Sequence, residues 1–186
     1  MIFRRILLDI NDANCYILAC PRTREALIID PGEYHRDITT FIRTYQLELK
    51  YILVTHAHYD HASGIEDILR AFGGKVLVHQ PGYFSRAQKV EEGHRIRFGN
   101  YYGVVLQTPG HTADSISFSI RDMVFTGDAL FCGSLGSTVS REANQELVNH
   151  IRRVILPLGD HTKVYPGHGP ATTVGIERMF NPYLLV

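Results

Sequence analysis

The chain has 186 residues, 45% hydrophobic and 20% charged, the proportions of a globular protein with enough apolar surface for one sizeable core. Nineteen basic and nineteen acidic side chains leave no formal net charge, which excludes the long-range pull that brings basic proteins to nucleic acid or acidic membranes. No stretch reaches the roughly 20 apolar residues of a membrane helix, and three cysteines without paired spacing, Cys15, Cys20 and Cys132, argue against a disulfide framework and for the cytoplasm.

The opening MIFRRILLDINDANCYIL sets two arginines before an apolar run, but Asp9, Asn11 and Asp12 break that run too early for a secretory segment. RILLDI, CYILAC and ALIID then read as three strands separated by Asn, Pro, Arg and Thr clusters. Ile38, Phe41, Ile42 and Tyr45 change to helical spacing and predict a helix over residues 35 to 46. KYILV follows as a buried strand. Ile65, Ile68, Leu69 and Phe72 form the next helical face, stopped by Gly73 and Gly74. KVLVH, RIRF and YYGVVLQT are further strands, ISFSI alternates as a half-exposed strand should, and MVFTGD ends the series. Leu147, Val148, Ile151, Val154 and Ile155 predict a helix closed by Pro157, followed by the strand KVY and a short helix around 172 to 179. No Ser- or Pro-rich linker divides the chain, so residues 1–186 are expected to form one domain.

Ten histidines are many for such a chain, and several stand where strands end. YILVT runs into His56, His58, Asp60 and His61. VVLQT passes through Pro109 and Gly110 to His111, MVFTG runs into Asp128, and KVY passes through Pro166 and Gly167 to His168. Proline ends the hydrogen-bonded ladder and glycine permits the turn, so each polar side chain is presented from a rigid strand. His56 and His58, two apart on extended backbone, point the same way and can share one metal. Asp60 and His61 come where the chain turns into a helix and can face a second. Imidazole and carboxylate suit zinc, iron or manganese, and the lack of cysteine among them fits a hydrolytic site better than a structural one. His35, His79, His94, His150 and His161 lie outside this pattern and read as structural or solvated, Cys132 reads as a small packing residue, and Arg141 and Arg178 read as solvated helix-surface residues.

In order, His56, His58, Asp60, His61, His111, Asp128 and His168 resemble the ligand series of the metallo-β-lactamase superfamily, nearly end to end. TGDALF followed by GSLGST, and the ending VYPGHGPATTVGIERMFNPYL, are similar to the small glyoxalase II group, the hydroxyacylglutathione hydrolases. The resemblance implies an α+β fold, a four-layer αβ/βα sandwich of two mixed sheets with helices on the outer faces. It implies two divalent ions, zinc first with iron or manganese as alternatives. His56, His58 and His111 would hold one ion, Asp60, His61 and His168 the other, and Asp128 would bridge them.

A hydroxide between two cations is nucleophilic at neutral pH, because bound metal lowers the pKa of water from 15.7 to about 7. Asp60 would hold its proton and Asp128 would set the spacing of the ions. The expected reaction is hydrolysis of a small thioester or ester, with S-2-hydroxyacylglutathione the favoured substrate and neither nucleic acid nor membrane as partner. After Gly136 relatives carry a basic residue where this chain has Ser137, so a cationic substrate contact is missing there. The main rival is a persulfide dioxygenase-like oxidoreductase of the same fold, with one iron held by two histidines and an aspartate.

Overall fold

Polar side chains at the ends of neighbouring strands come together where those strands run side by side in the same direction, and the sheet register decides which do. A computed structural model describes residues 1–79, 84 and 86–185. Its strands form two six-stranded mixed sheets, ordered β1-β2-β3-β4-β5-β6 and β14-β13-β10-β9-β8-β7, and one two-stranded hairpin, β11-β12. Residue contacts divide the chain into two compact units: residues 1–90 with 96–102, and residues 91–95 with 103–186.

In the first unit β1 (Ile2–Leu7), β2 (Asn14–Ala19) and β3 (Glu25–Ile29) form an antiparallel meander. β4 (Glu48–Leu53), β5 (Lys75–Val78) and β6 (Gln88–Lys89) then add on in parallel. All six residues of β2 are buried, which explains an apolar run without alternation. The helices are α1 (Arg36–Thr44), α2 (Tyr59–Ala62) and α3 (Ile65–Phe72). Helices this short are marginal in water alone. Ile38 and Ile42 of α1 and Ile65 and Ile68 of α3 are buried in one core with Ile17, Ile28 and Ile52, each contributing roughly 1.5–3 kcal/mol. Tyr45, predicted to share that stripe, is instead 43% exposed, because α1 has already ended and Tyr45 is its C-cap. His35 is the N-cap of α1, its Nδ1 accepting from the Asp37 amide at 3.1 Å, as the structural reading expects.

In the second unit β8 (Tyr101–Gln107), β9 (Ile116–Ile120), β10 (Met123–Gly127), β13 (Lys163–Pro166) and β14 (Thr172–Thr173) lie next to one another. β7 (Arg95–Phe98) precedes them in sequence, and β11 (Leu130–Phe131) and β12 (Ser134–Leu135) make the hairpin. α4 (Arg141–His150) continues into a π-helical turn at Ile151–Ile155, and α5 (Val174–Phe180) follows β14. Of the expected stripe, Leu147, Val148, Ile151 and Ile155 are buried with Val124 and Val164 while Val154 is only partly buried, and the Ser140 hydroxyl caps α4 by accepting from the Ala143 amide at 3.1 Å. β9 is not half-exposed as its alternation predicts. Ser117 is fully buried, tolerated there by its 2.9 Å hydrogen bond to the Thr108 hydroxyl. Cys132 is exposed at the hairpin tip rather than packed.

Candidate metal centre

β3 and β4 are parallel, so the segments leaving their C-terminal ends lie at the same sheet edge. Asp30 closes β3 and Thr55-His56-Ala57-His58 leaves β4. Asp30, which the sequence did not single out, is 2% exposed and accepts three hydrogen bonds: Thr55 N at 2.7 Å, Thr55 Oγ1 at 2.6 Å and His61 Nδ1 at 3.1 Å. The Thr55 hydroxyl has only one proton and spends it on Asp30. At 3.0 Å from His56 Nδ1 it can therefore only accept. Both rings consequently carry their proton on Nδ1, which leaves Nε2 of His56 and of His61 as the nitrogen able to take a metal.

His56 Nε2 stands 3.1 Å from His58 Nδ1. Two ring nitrogens on one tetrahedral zinc, each at 2.0–2.1 Å, are about 3.4 Å apart, so this pair is nearly at chelating distance. α2 then carries Asp60 and His61, both buried. Asp60 Oδ2 accepts from the Asn11 amide at 3.0 Å, reached from the turn between β1 and β2. The backbone of α2 sits directly on Gly32: a Cβ there would lie 1.7 Å from the Asp60 carbonyl oxygen. Gly32→Ala must displace the turn that carries Asp60 and His61, two candidate ligands. It is expected to cost about 1–3 kcal/mol, a Tm loss of at least roughly 2 °C at this size, together with metal uptake; thermal unfolding and metal analysis check both.

The other three residues follow β8, β10 and β13. β9 is antiparallel to both β8 and β10, and β10 is parallel to β13, so the three strands end at one edge. The Gly167 amide donates to the Gly127 carbonyl at 2.8 Å, holding the ends of β10 and β13 in step. Asp128 Oδ1 is 3.0 Å from His168 Nδ1, and Oδ2 is 3.8 Å from His111 Nε2. His111 Nδ1 donates to the Ser137 carbonyl at 2.6 Å, which leaves Nε2 as its metal-facing nitrogen. Ser137 thus serves His111 through its main chain, a role that does not depend on its side chain. Gly136 beside it leaves no room for a Cβ, which would fall 1.8 Å from the Asp128 carbonyl oxygen.

The first unit carries His56, His58, Asp60 and His61 beside one another, and the second brings His111 and His168 to Asp128. The donors are imidazole nitrogens and carboxylate oxygens without a thiolate, a set that fits zinc, iron or manganese and implies a dinuclear site. Another group, Asp9, Glu33 and His35, is of the more exposed acidic kind that is common without an ion. Burial, then the nearby Asp30 carboxylate, pushes the Cys15 thiol well above the usual range. Among the described residues, no helix is long and apolar enough to cross a membrane.

Comparison with known proteins gives the family and the fold. The model of the metallo-beta-lactamase superfamily matches residues 8–106. The probable metallo-hydrolase YqgX of Bacillus subtilis strain 168 is 31% identical over 208 residues, covering 99% of this chain and 98% of that one. The hydroxyacylglutathione hydrolase GloC of Haemophilus influenzae is 31% identical over 186 residues, covering 87% and 88%. Among solved structures, the BLEG-1 B3 metallo-beta-lactamase superposes with a TM-score of 0.89 at 30% identity over the whole of both chains. ETHE1 from Myxococcus xanthus gives 0.87 at 31%, covering 98% of this chain and 84% of that one. A protein solved in a di-iron-bound form gives 0.84 at 30%, covering 97% and 100%. Two mixed sheets flanked by helices, the fold expected from the sequence, are the fold of these neighbours, and the chain is a metallo-hydrolase of the metallo-beta-lactamase superfamily.

Proposed function

We propose that residues 1–186 act as one catalytic domain that hydrolyses a small thioester or ester, with S-2-hydroxyacylglutathione the first candidate. Two divalent ions, zinc first, would be held by His56, His58 and His111 and by Asp60, His61 and His168, with Asp128 shared. The observation that carries this reading is the set of backing hydrogen bonds. Asp30 fixes the Nδ1 protons of His61 and, through Thr55, of His56, while the Ser137 carbonyl fixes that of His111. A partner held on Nδ1 is what orients a histidine to offer Nε2 to a metal.

Once bound, the ions supply Lewis acidity, bringing water into nucleophilic range near pH 7 and offsetting charge that grows on the acyl oxygen. The protein's part is placement and proton handling. Asp60, with Oδ2 taken by Asn11, offers its other lone pairs to a metal and to the proton of the attacking water. A departing thiolate, of parent pKa about 8.5, leaves without a general acid, which is why a thioester suits a site that has none assigned. The three free cysteines fit a reducing, cytoplasmic compartment. Neither nucleic acid nor membrane enters as partner.

Likeness to ETHE1 favours a second reading, a mononuclear iron persulfide dioxygenase. Metal analysis paired with assays on S-lactoylglutathione, simple acyl thioesters and glutathione persulfide separates the two. Thioester turnover by a two-metal protein supports hydrolysis; one iron with oxygen uptake on the persulfide overturns it. Turnover of simple thioesters alone would keep the chemistry and discard the glutathione substrate. Ser137→Arg restores a cation while leaving the carbonyl on His111 in place. It is expected to lower KM for an anionic glutathione thioester by about 1.5- to fivefold, the worth of an exposed ion pair, with metal content unchanged in a parallel assay.

A further inference from the structure

Glu177 is an acidic residue on a short terminal helix, a place where a carboxylate is ordinarily solvated, yet it is fully buried and lies outside the ligand set. Its Oε1 accepts from the Thr172 hydroxyl at 2.7 Å. Its Oε2 accepts from the Asn181 amide at 2.8 Å and from the Gly133 main-chain N–H at 3.0 Å. Asn181, also fully buried, sends the same amide nitrogen to the Ser134 carbonyl at 3.2 Å. Gly133 and Ser134 belong to the β11-β12 hairpin, so two side chains of the α5 segment clasp a hairpin whose own ladder pairs only Leu130 with Leu135 and Phe131 with Ser134.

That hairpin lies among three of the proposed metal ligands. Asp128 is two residues before it. Phe131 meets His168 edge to face, with ring centroids 6.2 Å apart and planes at 88°. Just beyond it, Gly136 fits under the Asp128 carbonyl and Ser137 holds Nδ1 of His111.

We infer that Glu177 and Asn181 are positioning residues of the metal centre, acting through the hairpin to fix Asp128, His111 and His168, rather than a local anchor for α5. The inference rests on the proposed dinuclear reading. A buried carboxyl that takes hydrogen bonds from Thr172, Asn181 and Gly133 is a costly way to anchor a seven-residue helix, since apolar packing would do so without desolvating a polar group.

Glu177→Ala tests this in the full chain, measured by zinc affinity against a competing chelator, by the visible spectrum of the cobalt-substituted protein and by the Tm of the metal-free protein. About tenfold or greater loss of zinc affinity, with an altered cobalt spectrum in folded protein, is the expected result. Glu177→Gln keeps the shape, an oxygen for the two amide donors and an NH2 group for the Thr172 hydroxyl, so it should restore both readouts to within about threefold. A lower metal-free Tm with unchanged zinc affinity and cobalt spectrum is what a mere helix anchor gives, and would overturn the inference. If Glu177→Ala yields no folded protein, Asn181→Ala and Phe131→Leu are read by the same standard. Failure of the unaltered chain to take up any metal would remove the dinuclear reading, and this inference with it.

Discussion

Asp30→Asn is expected to lower metal affinity by about 10- to 100-fold, the usual cost of losing a group that orients a metal-binding histidine. The isosteric amide makes the test sharp. If its oxygen stays on the Thr55 N–H, its NH2 faces the Thr55 hydroxyl and His61 Nδ1, the two groups that now donate to Asp30 Oδ2. His61 must then present a bare Nδ1 and carry its proton on Nε2. The Thr55 hydroxyl, turned away from a new donor, points its proton at His56 and forces the same change there. Two metal-facing nitrogens become protonated by one substitution. Flipping the amide offers no escape, because its NH2 would then oppose the Thr55 N–H. The expected stability cost is about 1–3 kcal/mol for a buried donor left unsatisfied, small enough for the fold to survive. Chelator competition on folded Asp30→Asn protein checks the prediction; wild-type affinity would rule out this role for Asp30.

Asp128→Asn should do more, because Asp128 is proposed as a ligand in its own right. Its two oxygens face different rings, Oδ1 toward His168 and Oδ2 toward His111, so it stands between the two histidines. The amide keeps the shape but gives up the negative charge and one of two acceptor oxygens. Metal content and thioesterase activity should fall together, with activity reduced beyond the roughly hundredfold of a supporting residue. Full activity at unchanged stoichiometry would refute the bridging role. The contrast with Asp30→Asn is informative: the first changes how tightly ions are held, the second whether a pair is held at all.

The strand ends were readable because proline and glycine mark where a ladder stops in the two Pro-Gly-His turns and in Thr-Gly-Asp, and because THAHYDH sets four donors directly after the apolar run YILV. The groups that support those donors were not. Asp30 is one acid after an apolar run, and its meaning comes from the parallel pairing of β3 with β4, a long-range fact with no local motif. The Ser137 contribution is a main-chain carbonyl, which no side-chain pattern can announce; the residue attracted notice for a missing cation instead. Glu177 reads as an exposed helical acid until the hairpin packs on it. β6, β11, β12 and β14 have two residues each, too few for a period to register. Tyr45 and Ser117 were misplaced for opposite reasons: one helix ended one residue before the last position of its apolar spacing, and one serine found a buried partner that made alternation misleading.

Every role proposed for these residues depends on one chain holding a pair of ions, and metal analysis of the purified protein tests that most directly. About two transition-metal ions per chain, with uptake impaired in both His58→Ala and His168→Ala, is the predicted result. A protein that takes up no such metal, or a single ion held as firmly after Asp128→Asn as before it, would contradict it.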